Sequence, residues 1–373
     1  MKFYVVSGYG YWGGFKPTDL RDPKSANQVG GGETAMVNMS RELAALGHDV
    51  TVFYNVARPG DFEGVHYLPF QMFEAMACWT EFDVLVSWDY AQAFKYADRA
   101  RCHIMAFQLN DAQVGVFDHV IDRYFCPSDW HAKRFQGLYP EITPAKVRSK
   151  LTNGLDAIRY VQDVPRDPLR VVHSSSPDRG LHHLLRIWPT VAEQVPGANL
   201  HVFYDMNKWL DLADSLAAQG LIVNTYDRAM AVKEQMQRIK AGVNGLSNSV
   251  TFHGSVGQWQ LAREQLQSGV MCYPCDPVQP TEGFSMSCLE GIAAGCKLIT
   301  SNADALPELW TDAPDTVILP LPVDDGVWTD AIIRALTTEP GAGTAKVPQD
   351  YMWRAIAAQW EKEISECLTQ KQT

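Results

Sequence analysis

Short apolar segments alternate with amphipathic helical patterns along nearly the whole chain, and the alternation occurs twice. In the first half the predicted strands include "KFYVVSG" and "DVLVSW", and in the second half they include "LRVVHSSS" and "VMCYPC". Strands that alternate with helices form parallel sheets with helices packed on their faces. A chain of 373 residues is too long for one ordinary core and suits two domains. The sequence therefore predicts two doubly wound α/β domains.

The Pro- and Asp-rich segment "DAIRYVQDVPRDP" separates the two alternating halves. We place the first domain at residues 1–160 and the second at residues 165–345, and we predict a last amphipathic helix over residues 350–370. In open parallel sheets, ligands bind beyond the carboxyl ends of the strands. Residues that directly follow predicted strands are therefore the candidates for a functional site.

Composition excludes several classes of function. The formal net charge of -11 disfavours a duplex nucleic-acid partner, which requires a basic surface. No apolar run is long enough to span a bilayer, and the basic segment "PAKVRSK" allows at most peripheral membrane contact. The eight cysteines follow no disulfide pattern, and the Cys272–Cys275 spacing lacks the second pair that a zinc site needs. Reduced thiols and a cytoplasmic location are expected.

Two glycine-rich segments follow the first predicted strand. Gly8, Gly10 and Gly13 match the dinucleotide-binding pattern, but Pro17 and Pro23 follow where that motif needs a helix, so a dehydrogenase is disfavoured. The second segment, Gly30, Gly31 and Gly32, does open a predicted helix. A helix that begins at glycines offers free amides to an anion at close range.

Two glutamates in "TEGFSMSCLE" raise the question of what needs a carboxylate at each end of an uncharged segment. Glu282 lies in a predicted loop, a helix is predicted to begin around Phe284 to Met286, and Glu290 lies about two turns into that helix. The helix start can seat phosphate, whereas carboxylates accept hydrogen bonds from hydroxyls. Because "MSCL" and "GIAAG" flank Glu290, we expect it to be buried and to have a partner. A nucleoside-diphosphate sugar, with hydroxyls at both ends of a diphosphate, fits this pattern.

Several segments, in this order, resemble the GT-B glycosyltransferases of group 1 (family GT4). They are "GGGETAMVNMSRELAALGHDVTVF", "CPSDWHAKRF", "LTNGLDAIRY", "SSSPDRGLHHLLRIWPTVAEQVPGANLHVFY", "HGSVGQWQLA" and "EGFSMSCLEGIAAGCKLITSNADALPEL". The resemblance covers nearly the whole chain. It implies two Rossmann-like domains that face a cleft, with a C-terminal helix that crosses back to the N-terminal domain.

The resemblance also implies roles for individual residues. Arg179 would neutralise the diphosphate leaving group, Glu282 would hold hydroxyls of the donor sugar, and Glu290 would bind the nucleotide ribose. Arg179 and Glu282 are the expected catalytic residues. The expected donor-binding residues are Gly30, Gly31, Gly32, Ser255, Gly283, Phe284, Ser285, Met286, Ser287 and Glu290. The expected acceptor-side residues are Tyr9, Tyr11, Trp12, Asn110 and Asp111.

Two positions depart from the family pattern. Ser174 stands where the family usually has a first cation, about five residues before Arg179. Candidates to replace that cation are Lys16, Arg21 and Lys24. The segment "FQLND" replaces a W-x-H-D segment, so the histidine expected near Asn110 is missing.

The resemblance implies a retaining hexosyltransferase that uses a UDP- or GDP-linked sugar. The acceptor would be a glycan, a lipid-linked molecule or a small molecule. The resemblance implies that no cofactor or divalent metal is needed, and the chain has no D-x-D motif, which metal-dependent sugar transferases normally carry. Two alternatives stay open: a nucleotide-sugar epimerase on the same fold, and a non-catalytic subunit that binds a sugar nucleotide, which the two departures motivate.

Overall fold

The computed structural model describes residues 1–7, 16–27, 29–56, 58–110, 117–151, 153–220, 223–242, 248–338 and 349–371. The chain divides into two compact units. The first comprises Met1–Asp22, Gln28–Asp156 and Pro348–Thr373. The second comprises Pro23–Asn27 and Ala157–Val347. Among the described residues, the helices are not both long and apolar enough to cross a membrane.

Strands and helices alternate through both units. The strands are β1 (Lys2–Ser7), β2 (Asp49–Tyr54), β3 (Gly60–Phe62), β4 (Val65–Pro69), β5 (Val84–Trp88), β6 (Cys102–Ala106), β7 (Arg123–Phe125), β8 (Val147–Arg148), β9 (Asp167–His173), β10 (Asn199–Phe203), β11 (Val250–Gly254), β12 (Ser268–Tyr273), β13 (Lys297–Ser301) and β14 (Thr316–Leu319). The α-helices are α1 (Gly31–Ala45), α2 (Met72–Trp79), α3 (Asp129–Leu138), α4 (Leu181–Gln194), α5 (Met206–Ala218), α6 (Val223–Lys240), α7 (Gln258–Leu266), α8 (Met286–Ala293), α9 (Leu306–Trp310), α10 (Asp325–Thr337) and α11 (Trp353–Gln370).

The sheet of the first unit has the strand order β3-β4-β2-β1-β5-β6-β7-β8. Its strands pair in parallel, except that β3 and β4 are antiparallel. The strand order reverses between β1 and β5. Side chains of α1 and α11 cover one face, and α2 and α3 cover the other. This arrangement is the doubly wound sheet that the alternating pattern predicts.

The C-terminal helix α11 belongs to the first unit. Trp360 is fully buried and lies 5.8 Å from Trp88 and 4.8 Å from Phe125, measured between ring centroids. Its indole nitrogen donates to the carbonyl oxygen of Leu151. A Cβ at Gly154 would lie 2.9 Å from the Trp353 ring, so only glycine fits there. The predicted return of the last helix to the N-terminal domain is confirmed.

The sheet of the second unit has the order β11-β10-β9-β12-β13-β14, and all its strand pairs are parallel. This is the Rossmann order, and it reverses between β9 and β12. Helices α4, α5, α6 and α10 form the apolar core on one face. Helices α7 and α8 contact β12 and each other. The ligand position expected for such a sheet is the edge where β9 and β12 end.

Gly180 makes a close backbone approach at that edge possible. It precedes α4 with φ +89°, and a Cβ there would lie 1.8 Å from the carbonyl oxygen of Pro274. The turn after β9 and the loop after β12 therefore touch at a point where no side chain fits.

We predict that Gly180→Ala destabilises the second unit by more than about 2 kcal/mol, because it adds a steric clash to the cost of a positive φ. Gly220→Ala is the matched control: Gly220 has φ +70° and no atom within 4 Å of an added Cβ. That control should cost only about 1–2 kcal/mol. Thermal unfolding of both variants measures the difference. Equal losses would show that the backbone contact with Pro274 is not tight.

Candidate functional site

Three segments that follow strands meet at the carboxyl edge of the second sheet. The turn after β9 carries Asp178 and Arg179, the loop after β12 carries Glu282, and the loop after β13 carries Asp304. Because these neighbouring strands are parallel, their carboxyl ends lie at the same edge. This edge lies at the reversal of strand order, where open parallel sheets bind ligands.

Arg179 and Glu282, which the sequence assigned to separate motifs, form an ion pair. The Arg179 Nε donates to Glu282 Oε1 at 2.6 Å, and its Nη1 donates to Asp178. Glu282 is 5% exposed. Burial raises the pKa of Glu282, and the Arg179 guanidinium opposes that rise. Burial alone would lower the pKa of Arg179, but Glu282 and Asp178 raise it above its ordinary value. Arg179 thus remains charged.

Asp304 fixes the backbone around Glu282. Its Oδ2 accepts hydrogen bonds from the amides of Thr281 at 2.8 Å and Glu282 at 3.0 Å. The amide of Ala305 donates to the Glu282 carbonyl oxygen at 3.1 Å. Asp304 itself has φ +49°, in the left-handed region that aspartate tolerates better than most residues. Sequence analysis did not single out Asp304, although an aspartate in the turn segment "SNADAL" is a signal for such local bonds.

Helix α8 begins where the sequence predicts it. Ser285 caps the helix, since its hydroxyl accepts from the Cys288 amide at 3.2 Å. Gly283 and Phe284 precede the cap, and the Phe284 ring packs edge-on against Trp310. Met286 and Ser287 form the start of the first turn. The expected donor contacts from Gly283 to Ser287 therefore form one continuous segment at the start of α8.

Glu290 lies behind that helix start and is 6% exposed, so the predicted burial is confirmed. Gln265 Nε2 donates to its Oε2 at 3.3 Å, and Arg159 Nη2 lies 3.8 Å from its Oε1. Burial raises the pKa of Glu290, while Arg159 and Gln265 oppose the rise. The expected partner exists, but its identity was not foreseen, because Arg159 comes from the segment between the two halves.

Ser174 joins the same network instead of supplying a cation. Its hydroxyl accepts from Gln265 Nε2 at 3.1 Å, and its carbonyl oxygen accepts from the Ser287 hydroxyl at 3.0 Å. Gln265 thus bridges the end of β9 and Glu290. Ser174 therefore links the end of β9 to α7 and α8.

The three candidate replacement cations lie in different places. Arg21 pairs with Glu63 at 3.0 Å and with Asp156 at 3.1 Å inside the first unit. Lys16 also belongs to the first unit, whereas Lys24 belongs to the second.

Ser255, an expected donor contact, is exposed directly after β11. The segment with Lys24 touches the same loop, since a Cβ at Gly257 would lie 1.8 Å from the Ser25 carbonyl oxygen.

The glycine segment of the first unit opens a helix as predicted. Gly30 is the N-cap of α1, and Gly31 and Gly32 are its first residues. An added Cβ at Gly32 would lie 3.8 Å from Gln108, in the loop that follows β6. The glycines thus begin α1 next to the "FQLND" segment.

A buried histidine that sequence analysis missed holds the "FQLND" loop. The His131 Nε2 lies 3.1 Å from the Leu109 carbonyl oxygen, and Asp89 accepts from the amides of Gln108 and Leu109. Burial lowers the pKa of His131 to about 4, so the ring is neutral and donates through Nε2.

Of the expected acceptor-side residues, Asn110 is 8% exposed. Asp111, Tyr9, Tyr11, Trp12 and the Gly8–Gly13 pattern lie outside the described residues.

Comparisons with known proteins agree with this architecture. Residues 170–338 match the family model described as "Glycosyl transferases group 1", and no curated protein sequence matches significantly. A sucrose-phosphate synthase from Thermosynechococcus elongatus is 15% identical, with a TM-score of 0.67 over 99% of this chain and 100% of that chain. Anabaena HepE in complex with UDP is 15% identical, with a TM-score of 0.66 over 98% and 100% of the two chains.

A further structure, Anabaena HepE in complex with UDP-glucose, is 14% identical, with a TM-score of 0.62 over 99% of both chains. At these identities the structural likeness establishes the fold. The chain therefore has the GT-B fold that its sequence resemblance implied.

We predict that Arg179→Ala lowers stability by about 1–3 kcal/mol at neutral pH, because it leaves the Glu282 carboxylate buried without its cation. The raised pKa of Glu282 should rise further in this variant. A group whose pKa is raised on folding loses its stabilising contribution as the pH rises, so the loss should be small below the ordinary pKa of a glutamate and should grow as the pH rises through the raised pKa of Glu282.

Thermal unfolding of Arg179→Ala at acidic and neutral pH measures this effect. Adding Glu282→Gln should restore much of the stability at neutral pH. Arg186→Ala is the control, because Arg186 and its partner Asp325 are 44% and 51% exposed, and such pairs contribute little. A loss in Arg179→Ala that does not depend on pH would contradict the buried-carboxylate explanation.

Proposed function

We propose that this protein transfers a hexose from a UDP- or GDP-linked sugar to an acceptor, with retention of configuration and without a divalent metal. The observation that carries the proposal is the pair of buried carboxylates, Glu282 and Glu290, on either side of the capped start of α8. Both lie in the matched glycosyltransferase segment. HepE, which has the same fold, was solved in complex with UDP and with UDP-glucose.

The charged groups at the carboxyl edge of the second sheet determine how we place the donor. Carboxylates repel phosphate but accept hydrogen bonds from vicinal hydroxyls. We assign the ribose to Glu290 and the hexose hydroxyls to Glu282. The amides from Gly283 to Ser287 would then meet the sugar and the diphosphate at the positive end of the α8 dipole. Ser255, after β11, is the candidate for a contact near the base.

Arg179 is the cation assigned to the leaving diphosphate. Its Nε is engaged by Glu282 and its Nη1 by Asp178. A bound diphosphate would compete with Asp178 for the Arg179 guanidinium. The contact with Glu282 would keep that guanidinium oriented. Charge grows on the diphosphate as the glycosidic bond breaks, so a fixed cation there stabilises the transition state more than the ground state. Gly30 to Gly32 offer a second anion-binding helix start in the first unit.

The acceptor is a glycan, a lipid-linked molecule or a small molecule, and its contacts are assigned to Tyr9, Tyr11, Trp12, Asn110 and Asp111. We place the protein in the cytoplasm because all eight cysteines are free thiols, as in a reducing compartment. No cofactor is assigned to the reaction. The neutral, buried His131 supports the acceptor-side loop through Leu109 and is assigned a positioning role.

We predict that a UDP- or GDP-linked sugar at about 100 times its Kd stabilises the protein by about 2.7 kcal/mol, which a thermal-shift screen detects. The sugar of the donor that the screen identifies should then be transferred to an acceptor from a broad mixture. The transfer rate should be the same with and without excess EDTA. NMR of the product should show the donor's anomeric configuration.

Three results would contradict this proposal. Conversion of the donor sugar without acceptor would indicate an epimerase. Binding without turnover on any acceptor would indicate a non-catalytic subunit. Loss of transfer in EDTA that manganese or magnesium restores would overturn metal independence.

We predict that Glu290→Gln weakens binding of the bare nucleoside diphosphate and of the intact donor by the same factor, about 10- to 100-fold, because a charged hydrogen bond to the ribose is lost. Glu282→Gln should weaken only the intact donor, since the bare diphosphate lacks the hexose. Calorimetry measures the affinity of each variant for the bare nucleoside diphosphate and for the intact donor. Glu193→Gln, at an exposed position, is the control. Unchanged nucleotide affinity in Glu290→Gln would remove the ribose assignment.

A further inference from the structure

Two cysteines of the first unit, neither of which has a role in the proposed transfer, are in contact. Cys102 is the first residue of β6, and Cys367 lies in the last turns of α11. Their sulfur atoms are 3.2 Å apart, and the two residues are 0% and 2% exposed. They are separated by 265 positions along the chain. The fold therefore joins two distant thiols across the seam between the sheet and the C-terminal helix.

The surroundings make the two thiols unequal. The hydrogen bond from Cys102 lowers the pKa of Cys367, and the same contact raises the pKa of Cys102. Burial and Asp122 oppose the Cys367 thiolate, whereas the cations Lys371 and Arg123 favour it. We assign Cys367, which has the two cations near it, as the attacking thiol, and Cys102, whose sulfur lies 3.2 Å away, as the thiol that resolves it.

A metal ion is the other chemistry that such a cluster suggests, because one ligand atom each of Cys102, Cys367 and Asp122 lie within 4.8 Å of one another. The positive charge of Lys371 beside this cluster disfavours a metal ion there. Lys371 Nζ lies 2.6 Å from Asp122 Oδ2, and the same oxygen accepts from the His103 amide at 2.9 Å. Two sulfurs bound to tetrahedral zinc at about 2.3 Å would stand about 3.8 Å apart. The observed separation and the adjacent ammonium favour bond formation between the sulfurs.

We propose that Cys102 and Cys367 are a redox-modification site, at which a hydroperoxide converts the two thiols into a disulfide between β6 and α11. The Cys367 thiolate attacks a peroxide oxygen and becomes a sulfenic acid, and the leaving oxygen takes a proton and departs as water or alcohol. The Cys102 sulfur then attacks the Cys367 sulfur and releases water. Two thiols lose two electrons in total, and the peroxide gains them.

The disulfide would covalently fix the C-terminal helix to the first sheet. In the reduced protein, α11 is held by packing such as that of Trp360 against Trp88 and Phe125. A bond between residues so far apart in sequence restricts the unfolded chain strongly. Oxidation should therefore raise the Tm, and a dithiol reductant should reverse the change. This inference does not depend on the proposed transferase activity.

The test is a thiol count on the full chain. The reduced protein is treated with hydrogen peroxide, unfolded, and titrated for free thiols. We expect the count to fall from eight to six, with one disulfide that peptide mapping assigns to Cys102 and Cys367. Cys102→Ser and Cys367→Ser should form no disulfide, whereas Cys126→Ser, which removes another buried thiol, should lose two thiols like the parent.

Three outcomes would overturn the proposal. The first is a folded parent that keeps both thiols while the exposed Cys78 is oxidised. The second is a disulfide mapped to other cysteines. The third is stoichiometric zinc bound by the parent, lost in Cys367→Ser, and protective of the thiols, which would make the cluster a metal site. Because peptide mapping of the parent alone decides the first two, the result does not depend on whether the serine variants fold.

Discussion

The ion pair between Arg179 and Glu282 is the interaction on which the rest of the site depends. It joins the turn after β9 to the loop after β12, at the reversal of strand order in the second sheet. Two backbone features serve the same junction. Gly180 lets the turn touch the Pro274 carbonyl oxygen, and Asp304 holds the amides of Thr281 and Glu282. Without these constraints neither charge would be fixed beside the start of α8.

Two buried carboxylates so close to one edge are costly for folding, and each has a cation near it. Glu282 has Arg179, and Glu290 has Arg159 together with Gln265. Breaking such a pair is more harmful than never forming it, because an unpaired charge stays buried. Apolar residues would suit this position better for stability alone. We therefore interpret the two carboxylates as retained for ligand binding, with hydroxyl groups as the natural partners of their remaining lone pairs.

The sequence predicted most strands because continuous apolar runs mark strands that are buried on both faces. It missed β3 and β4, a hairpin whose turn residues Glu63 and Gly64 both have positive φ, and it missed the two-residue β8. The start of α8 and the burial of Glu290 were predicted from local pattern. The identity of partners such as Arg159 and His131 was not, because those contacts join residues far apart in the chain and depend on how the segments pack.

A crystal structure of the protein with its selected nucleoside-diphosphate sugar is the most direct test of this account. We predict ribose hydroxyls within hydrogen-bond distance of the Glu290 carboxylate, the diphosphate at the start of α8 with a contact to Arg179, and hexose hydroxyls at Glu282. A nucleotide bound away from the carboxyl ends of β9 and β12, or one that places its phosphates against Glu290, would contradict the account.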